Sequence, residues 1–257
     1  MLHRLDYIWR LFGTGLSFAI FGLGSLILTV FIFPLVAITS PNESLRKSRI
    51  QQLIHYVFRF YVGILTFLRV IEFNTEGRER LLGCRGKLII ANHPSLLDVV
   101  LLLSIMPRAQ CVVKHQLWNS RILGGVMRAA GYIRNDLDSE ALIAQCQDVL
   151  REEENIILFP EGTRSQPGRP LKFKRGFANI ATLTGADLQL VTITCRPTTL
   201  TKGEHWYQIP EQRAKFDLSV HNQIDVKEYT RREPRPLAAR RLTRDLEQYY
   251  VGKLSVG

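Results

Sequence analysis

An α/β fold is what this sequence predicts, with a mixed, largely parallel sheet flanked by helices and preceded by a membrane-associated two-helix segment. Three observations carry that reading. From Val70 onward, short β-branched runs alternate with helical patterns, as they do when strands and helices are taken in turn. Before Val70, no residue between positions 11 and 42 is charged. Two polar motifs, Asn92-His93-Pro94-Ser95-Leu96-Leu97-Asp98 and Phe159-Pro160-Glu161-Gly162-Thr163-Arg164-Ser165, each follow an apolar run of strand length. Open α/β sheets place their sites at such strand ends.

Taken in order, residues 11–33 would form a helix about 35 Å long, enough to enter or cross a bilayer. The run is too long for a signal-peptide core, and Phe33-Pro34-Leu35 stands where a small-residue cleavage site would be, so it is expected to be retained. A second apolar run, 53–68, is shorter and carries His55 and Arg59, which suits an interfacial helix better than a span. Arg4 and Arg10 precede the first run, while Arg46, Lys47 and Arg49 follow it. Positive residues on both flanks place both ends on the cytoplasmic side. A monotopic or re-entrant hairpin, bent at Gly22, Gly24 or Pro34, reconciles those charges with the hydrophobicity better than a single span. The chain is therefore divided into a membrane-associated helical segment, 1–69, and an α/β domain, 70–257.

Within that domain the strand candidates are 70–73, 87–91, 110–113, 132–134, 156–159, 188–195 and 216–220. Helices are expected at 96–105, 120–130, 139–154 and 176–184. The proline-broken basic stretch 231–236 leads into a last helix with Leu242, Leu246 and Tyr249 on one face.

Composition narrows the partners. With 46% hydrophobic residues in 257, the chain can build a real core and is not disordered. A net charge of +11 calls for an acidic partner, either nucleic acid or an anionic membrane face. No nucleic-acid-binding signature is present, and the apolar N-terminus favours the membrane. Cys84, Cys111, Cys146 and Cys195 are scattered, with neither a paired spacing nor a neighbouring His cluster. They read as reduced core thiols, with no disulfide framework and no metal site.

The first motif supplies a base. Pro94 and Ser95 mark a helix start, with Asp98 at the third place of a capping box. In a continuous helix, residues five apart point about 140° away from each other, so the break at Pro94 is what lets Asp98 reach back to His93. Asp98 as a cap alone and His93 as a satisfied strand-end histidine are the plain alternatives. Ser95 as a nucleophile is disfavoured, because no G-x-S-x-G elbow surrounds it. The second motif makes a turn at Pro160 and Gly162 that presents Glu161, Thr163 and Arg164. Arg164 is suited to a bidentate grip on phosphate, with Lys174, Arg134 and Lys114 adding charge.

The two motifs, in this order and about 65 residues apart, resemble those of the glycerolipid acyltransferases, the family of the 1-acylglycerol-3-phosphate acyltransferases. Lys114 followed by Gly131-Tyr132-Ile133-Arg134 looks like that family's second block, and Leu171-Lys172-Phe173-Lys174-Arg175-Gly176 looks like the basic tail of its third. Where the family usually has a proline between two valines, this chain reads Leu190-Val191-Thr192-Ile193-Thr194. The resemblance implies an O-acyltransferase of phospholipid biosynthesis, with His93 and Asp98 catalytic and Glu161, Gly162 and Arg164 binding the acceptor. Its co-substrate would be an acyl-CoA or acyl-ACP thioester, with no metal or other cofactor, and its catalytic domain would face the cytoplasm. The departure in the fourth block leaves room for a non-phospholipid acceptor in a specialised lipid pathway. A non-catalytic lipid-binding membrane protein is the alternative from outside the enzymes.

Overall fold

A computed structural model describes residues 2–121 and 123–255. The chain begins with α1 (Leu2–Ile27), which passes through a π turn (Leu28–Ile32) into α2 (Phe33–Thr39). A Pro in a helix interior costs a hydrogen bond. Here Pro34 falls in the first turn of α2, directly after the π turn, and the helical path from His3 to Thr39 is unbroken. A π turn stands directly before Pro34, and the chain reverses at 40–42. There the Asn42 side chain accepts from the Leu45 amide (2.9 Å) and caps α3 (Glu43–Phe67).

α1 is inverted relative to a soluble helix. Arg10, Gly13, Thr14 and Ser17 are buried against the body, while Leu23 (60% exposed), Phe31 (66%) and Ile38 (84%) face outward. A contiguous apolar outer face of this kind marks a surface that meets lipid or a partner. One helix, His3–Thr39, is long and apolar enough to cross a membrane. α3 differs from the expected interfacial helix of 53–68. It is 25 residues long, and Ile50, Ile54, Tyr61, Val62 and Leu65 enter the main apolar core. Its N-terminal half was hidden by Arg46, Lys47 and Arg49, of which Lys47 turns inward to Glu152 (3.4 Å) and Glu154 (3.6 Å).

The sheet has seven strands in the order β1-β7-β6-β2-β5-β3-β4. They are β1 (Ile71–Glu76), β2 (Leu88–Ala91), β3 (Ala109–Val113), β4 (Ile133–Arg134), β5 (Asn155–Leu158), β6 (Leu188–Arg196) and β7 (Ala214–Ile224). Every pairing is parallel except β6 with β7. Between them lie α4 (Arg78–Gly83), α5 (Asp98–Ile105), α6 (His115–Trp118), α7 (Gly124–Ala129), α8 (Ser139–Arg151), α9 (Gly176–Thr184), α10 (Lys227–Thr230) and α11 (Arg235–Ser255).

Side chains that alternate along each strand feed two cores. Ile89, Ala91 and Ile157 join α3, α5 and α7 on one face; Leu88, Ile90 and Ile156 join α8, α9 and α11 on the other. The central strands are buried on both faces, which is why they read as continuous apolar runs. On α11 the buried stripe is Leu242, Leu246 and Tyr250, so Tyr250 rather than Tyr249 completes it. Its hydroxyl donates to the Ile90 carbonyl (2.6 Å) and accepts from the Val191 amide (3.2 Å), pinning the β2–β6 seam.

Candidate active site

β2 ends at Ala91, two residues before His93, and Asn92 continues its ladder with a side chain. The Asn92 amide donates to the Ile193 carbonyl (2.7 Å) and its oxygen accepts from the Ile193 amide (2.8 Å). The chain can therefore leave the sheet without orphaning β6. His93 follows, with both of its peptide groups held by the second motif. Its amide donates to Glu161 Oε1 (2.8 Å), and its carbonyl accepts from the Ser165 amide (2.7 Å).

The His93 ring packs on Phe159 with centroids 4.2 Å apart, and its Nδ1 lies 2.8 Å from Asp98 Oδ2. That same carboxylate oxygen accepts from the Ser95 amide (2.8 Å), so Asp98 closes one arm of the capping box and holds the imidazole at once. The helix itself begins at Asp98 rather than at 96, because Ser95, Leu96 and Leu97 form the turn that brings the carboxylate back. Asp98 is fully buried and its Oδ1 has no protein partner. Burial pushes its carboxyl pKa up, and the hydrogen bonds from His93 and Ser95 oppose that rise. With Asp98 accepting at Nδ1, His93 Nε2 carries the free lone pair and has no hydrogen-bond partner among the described residues. The ring is 17% exposed, so that lone pair is reachable.

The second motif turns where Gly162 adopts φ +66°, a left-handed conformation that glycine takes without strain. Glu161 is buried, and its two oxygens accept from the Ser165 hydroxyl at 2.9 and 2.8 Å, besides the His93 amide. Burial raises its pKa. It therefore fixes the His93 backbone. Ser95 is likewise buried and its hydroxyl donates to the Thr199 carbonyl (3.0 Å), which occupies the group a nucleophile would need.

Arg164 was read from sequence as a free phosphate fork, and here half of it is committed. Its Nη1 donates to the carbonyls of Leu200 (2.8 Å) and Thr201 (3.1 Å), leaving Nε and Nη2 open. The Leu200 carbonyl also accepts from the Leu96 amide (3.2 Å). Residues 199–201, after β6, thus tie the two motifs together. Sequence reasoning missed this strap because it works through backbone carbonyls, which any residue type supplies.

The remaining predicted residues spread along the carboxyl edge of the sheet. Lys174 lies over Gly162: a Cβ placed there would stand 3.1 Å from Nζ. Thr163 is half-buried in the same turn. Lys114 is exposed at the end of β3, and Arg134 ends β4. With strands about 4.8 Å apart, these lie roughly 10 and 14 Å from β2 along the sheet. Arg134 is not a free charge, since Asp136 takes its fork at 3.0 and 2.6 Å and Trp118 lies under it. No group of three or more potential metal ligands exists among the described residues.

Fold and site define an α/β protein with a carboxylate-oriented histidine at the carboxyl edge of its sheet, beside an apolar helical hairpin. Comparisons place it further. Residues 72–196 match the family model described as Acyltransferase. The chain is 27% identical over 168 residues to a chloroplastic 1-acyl-sn-glycerol-3-phosphate acyltransferase of Arabidopsis thaliana, covering 63% of this chain and 47% of that protein. It is 34% identical over 102 residues to the 1-acyl-sn-glycerol-3-phosphate acyltransferase of Helicobacter pylori, covering 37% of this chain and 43% of that one. The chain spans less than half the length of these curated relatives. The crystal structure of the 1-acyl-sn-glycerophosphate acyltransferase PlsC from Thermotoga maritima shares the fold, with TM-score 0.69 and 22% identity over 95% of this chain and 97% of that one. The region that carries both motifs is thus similar to acyltransferases in sequence, and the whole chain is similar to one in fold.

Proposed function

We propose that this protein is a membrane-associated O-acyltransferase that moves a fatty acyl group from an acyl-CoA or acyl carrier protein thioester to the hydroxyl of lysophosphatidate. The observation that carries the reading is the His93 ring, held at Nδ1 by buried Asp98 and open at Nε2. Nε2 takes the proton of the acceptor hydroxyl as its oxygen attacks the thioester carbonyl carbon. The carbon–oxygen bond forms, the carbon–sulfur bond breaks, and the departing thiolate takes the proton back from Nε2. Both substrates and His93 account for every proton and bond, with no covalent enzyme intermediate.

Asp98 holds the tautomer and steadies the imidazolium as it forms. The nitrogens of Arg164 without a partner among the described residues, with Lys174 beside Gly162, are suited to the acceptor phosphate, and Thr163 is part of the same turn. Lys114 and Arg134 stand one and two strands beyond β5, roughly 5 and 10 Å along the edge from the strand that leads into this turn, and would add positive charge to the acceptor site. The family names of the relatives support the lysophosphatidate acceptor. Residues 1–69 are assigned to membrane association and 70–257 to the catalytic domain, on the cytoplasmic face that the flanking positive charges favour.

The test is product analysis by mass spectrometry after purified protein in detergent is mixed with each thioester and a panel of lysolipids. Phosphatidate is the expected product. Acylation of a phosphate-free hydroxyl alone would move the acceptor to a specialised lipid.

A further inference from the structure

A concentration of positive charge extends from the edge of the site away from the catalytic turn. Residues 169–175 carry Arg169, Lys172, Lys174 and Arg175 with no acidic residue among them. Residues 227–244 carry seven Lys and Arg against two Glu. The fold brings the two stretches to one groove between the start of α9 and the middle of α11, lined by four arginines, Arg175, Arg240, Arg241 and Arg244, against two acids, Glu233 and Glu247, with Leu237 beside them. Arg241 is paired with Glu233 (3.1 Å), but Arg175 and Arg240 have no ion-pair partner among the described residues and both are exposed.

Two features fix what this groove is suited to hold. The first is its side of the sheet. α9 and α11 pack on the face opposite α1, α2 and α3, whose outer surface is the apolar one. Helix layers about 10 Å thick on either side of a sheet separate the groove from the lipid-facing layer by on the order of 20 Å. That exceeds the Debye length of about 8 Å at physiological salt, so a bilayer met by α1 and α2 lies beyond the reach of these arginines. The second is continuity with the site. Arg175 adjoins Lys174, whose amide donates to the Pro160 carbonyl (2.8 Å), and Glu161 holds the His93 amide (2.8 Å). Summed along those links, the groove edge is no more than roughly 20 Å from His93.

We propose that the groove docks an acidic carrier protein that presents the acyl thioester, which makes acyl carrier protein, rather than free acyl-CoA, the donor this surface recognises. The inference rests on the acyltransferase reading. Three exposed arginines, Arg175, Arg240 and Arg244, around the exposed Leu237 are the complement of a soluble acidic protein with a small apolar contact patch. The bound carrier would stand on the side away from the membrane, so its thioester and the lipid acceptor reach His93 from different directions.

The experiment compares full-length wild type with the charge reversal Arg240→Glu, Arg244→Glu, neither of which touches the site. Transfer to lysophosphatidate is measured with the same acyl chain on acyl carrier protein and on CoA. Carrier binding is read separately by fluorescence anisotropy, independent of turnover. The expected result is about a tenfold rise in KM for the carrier thioester with kcat held, a matching loss in anisotropy, and unchanged kinetics with acyl-CoA. Raising salt from 50 to 200 mM should weaken only the carrier reaction. Equal effects on both donors, or none on either, overturn the proposal. So does a wild type that fails to bind the carrier, or a variant that loses binding to phosphatidylglycerol vesicles while keeping the carrier. Carrier binding that follows the prediction in a protein without transferase activity would instead retain the docking surface and remove the acyltransferase reading.

Discussion

At His93 the ring and the backbone are held by different partners, so substitutions can separate chemistry from position. Asp98→Asn keeps the size of the side chain and the Ser95 contact but no longer fixes the imidazole with a charge. Transfer should fall by roughly 10²–10⁴ in kcat, with KM for the acceptor little changed. Glu161 holds the His93 backbone and the Ser165 hydroxyl rather than the ring, and Glu161→Ala strands both. Thermal unfolding should show a loss of about 1–3 kcal/mol.

The pKa of Glu161 is raised by burial, so it carries a pH signature. Its contribution to stability is fully present below the unfolded carboxyl value of about 4.3 and is lost as pH rises through the raised folded value. Glu161→Gln does not titrate. The stability of wild type minus that of this variant should therefore decline as pH rises from about 4.3 to the raised folded value and level off above it, and a flat difference would contradict the penalty that burial places on the charged carboxylate. The residues of both motifs were legible because their chemistry lies in side-chain identity. What was not legible is how far Glu161 and Arg164 are committed to internal partners, since that depends on where residues 93 and 199–201 fall in space.

Elements on both faces of the sheet position the site, and α11 does so from farthest away in sequence. Tyr250→Phe removes the hydroxyl that ties α11 to Ile90 and Val191, just before the Asn92–Ile193 clasp. A loss of about 1–2 kcal/mol is expected in denaturant unfolding, with a smaller fall in transfer. Gly162→Ala strains a left-handed turn by about 1 kcal/mol and pushes Lys174 aside, so KM for a phosphate-bearing acceptor should rise as well.

Strands were the most legible elements, since Leu88–Ala91 and Asn155–Leu158 announce themselves as buried apolar runs. Short helices were not. α4, α6 and α10 have six residues or fewer, too few for a helical period to show. α3 was read at little more than half its length because its first turns mix buried Ile50 and Gln51 with exposed charge. Gln51 is held there by Glu154 (2.9 Å), a partner 103 positions away that no local pattern reveals.

Across the whole molecule, the apolar hairpin, the sheet edge and the basic groove face different surroundings. α1 and α2 turn their large side chains outward and their small or polar ones inward, and Arg10 is buried through bonds to Asp6 (2.8 Å) and the carbonyl of Pro210 (2.9 Å). That anchor fixes the hairpin to the catalytic body, so the outer face is a rigid platform. Phe31→Glu with Ile38→Glu should abolish co-sedimentation with phospholipid vesicles while leaving the melting temperature of the detergent-solubilised protein unchanged. Retained binding would reassign that face.

The central claim is that the His93–Asp98 pair removes the acceptor proton during acyl transfer. The most direct measurement is single-turnover formation of phosphatidate from lysophosphatidate and an acyl thioester, by wild type beside His93→Ala of matched melting temperature. Phosphatidate formed by the wild type and absent in the variant is the predicted result; comparable formation by both would contradict the mechanism.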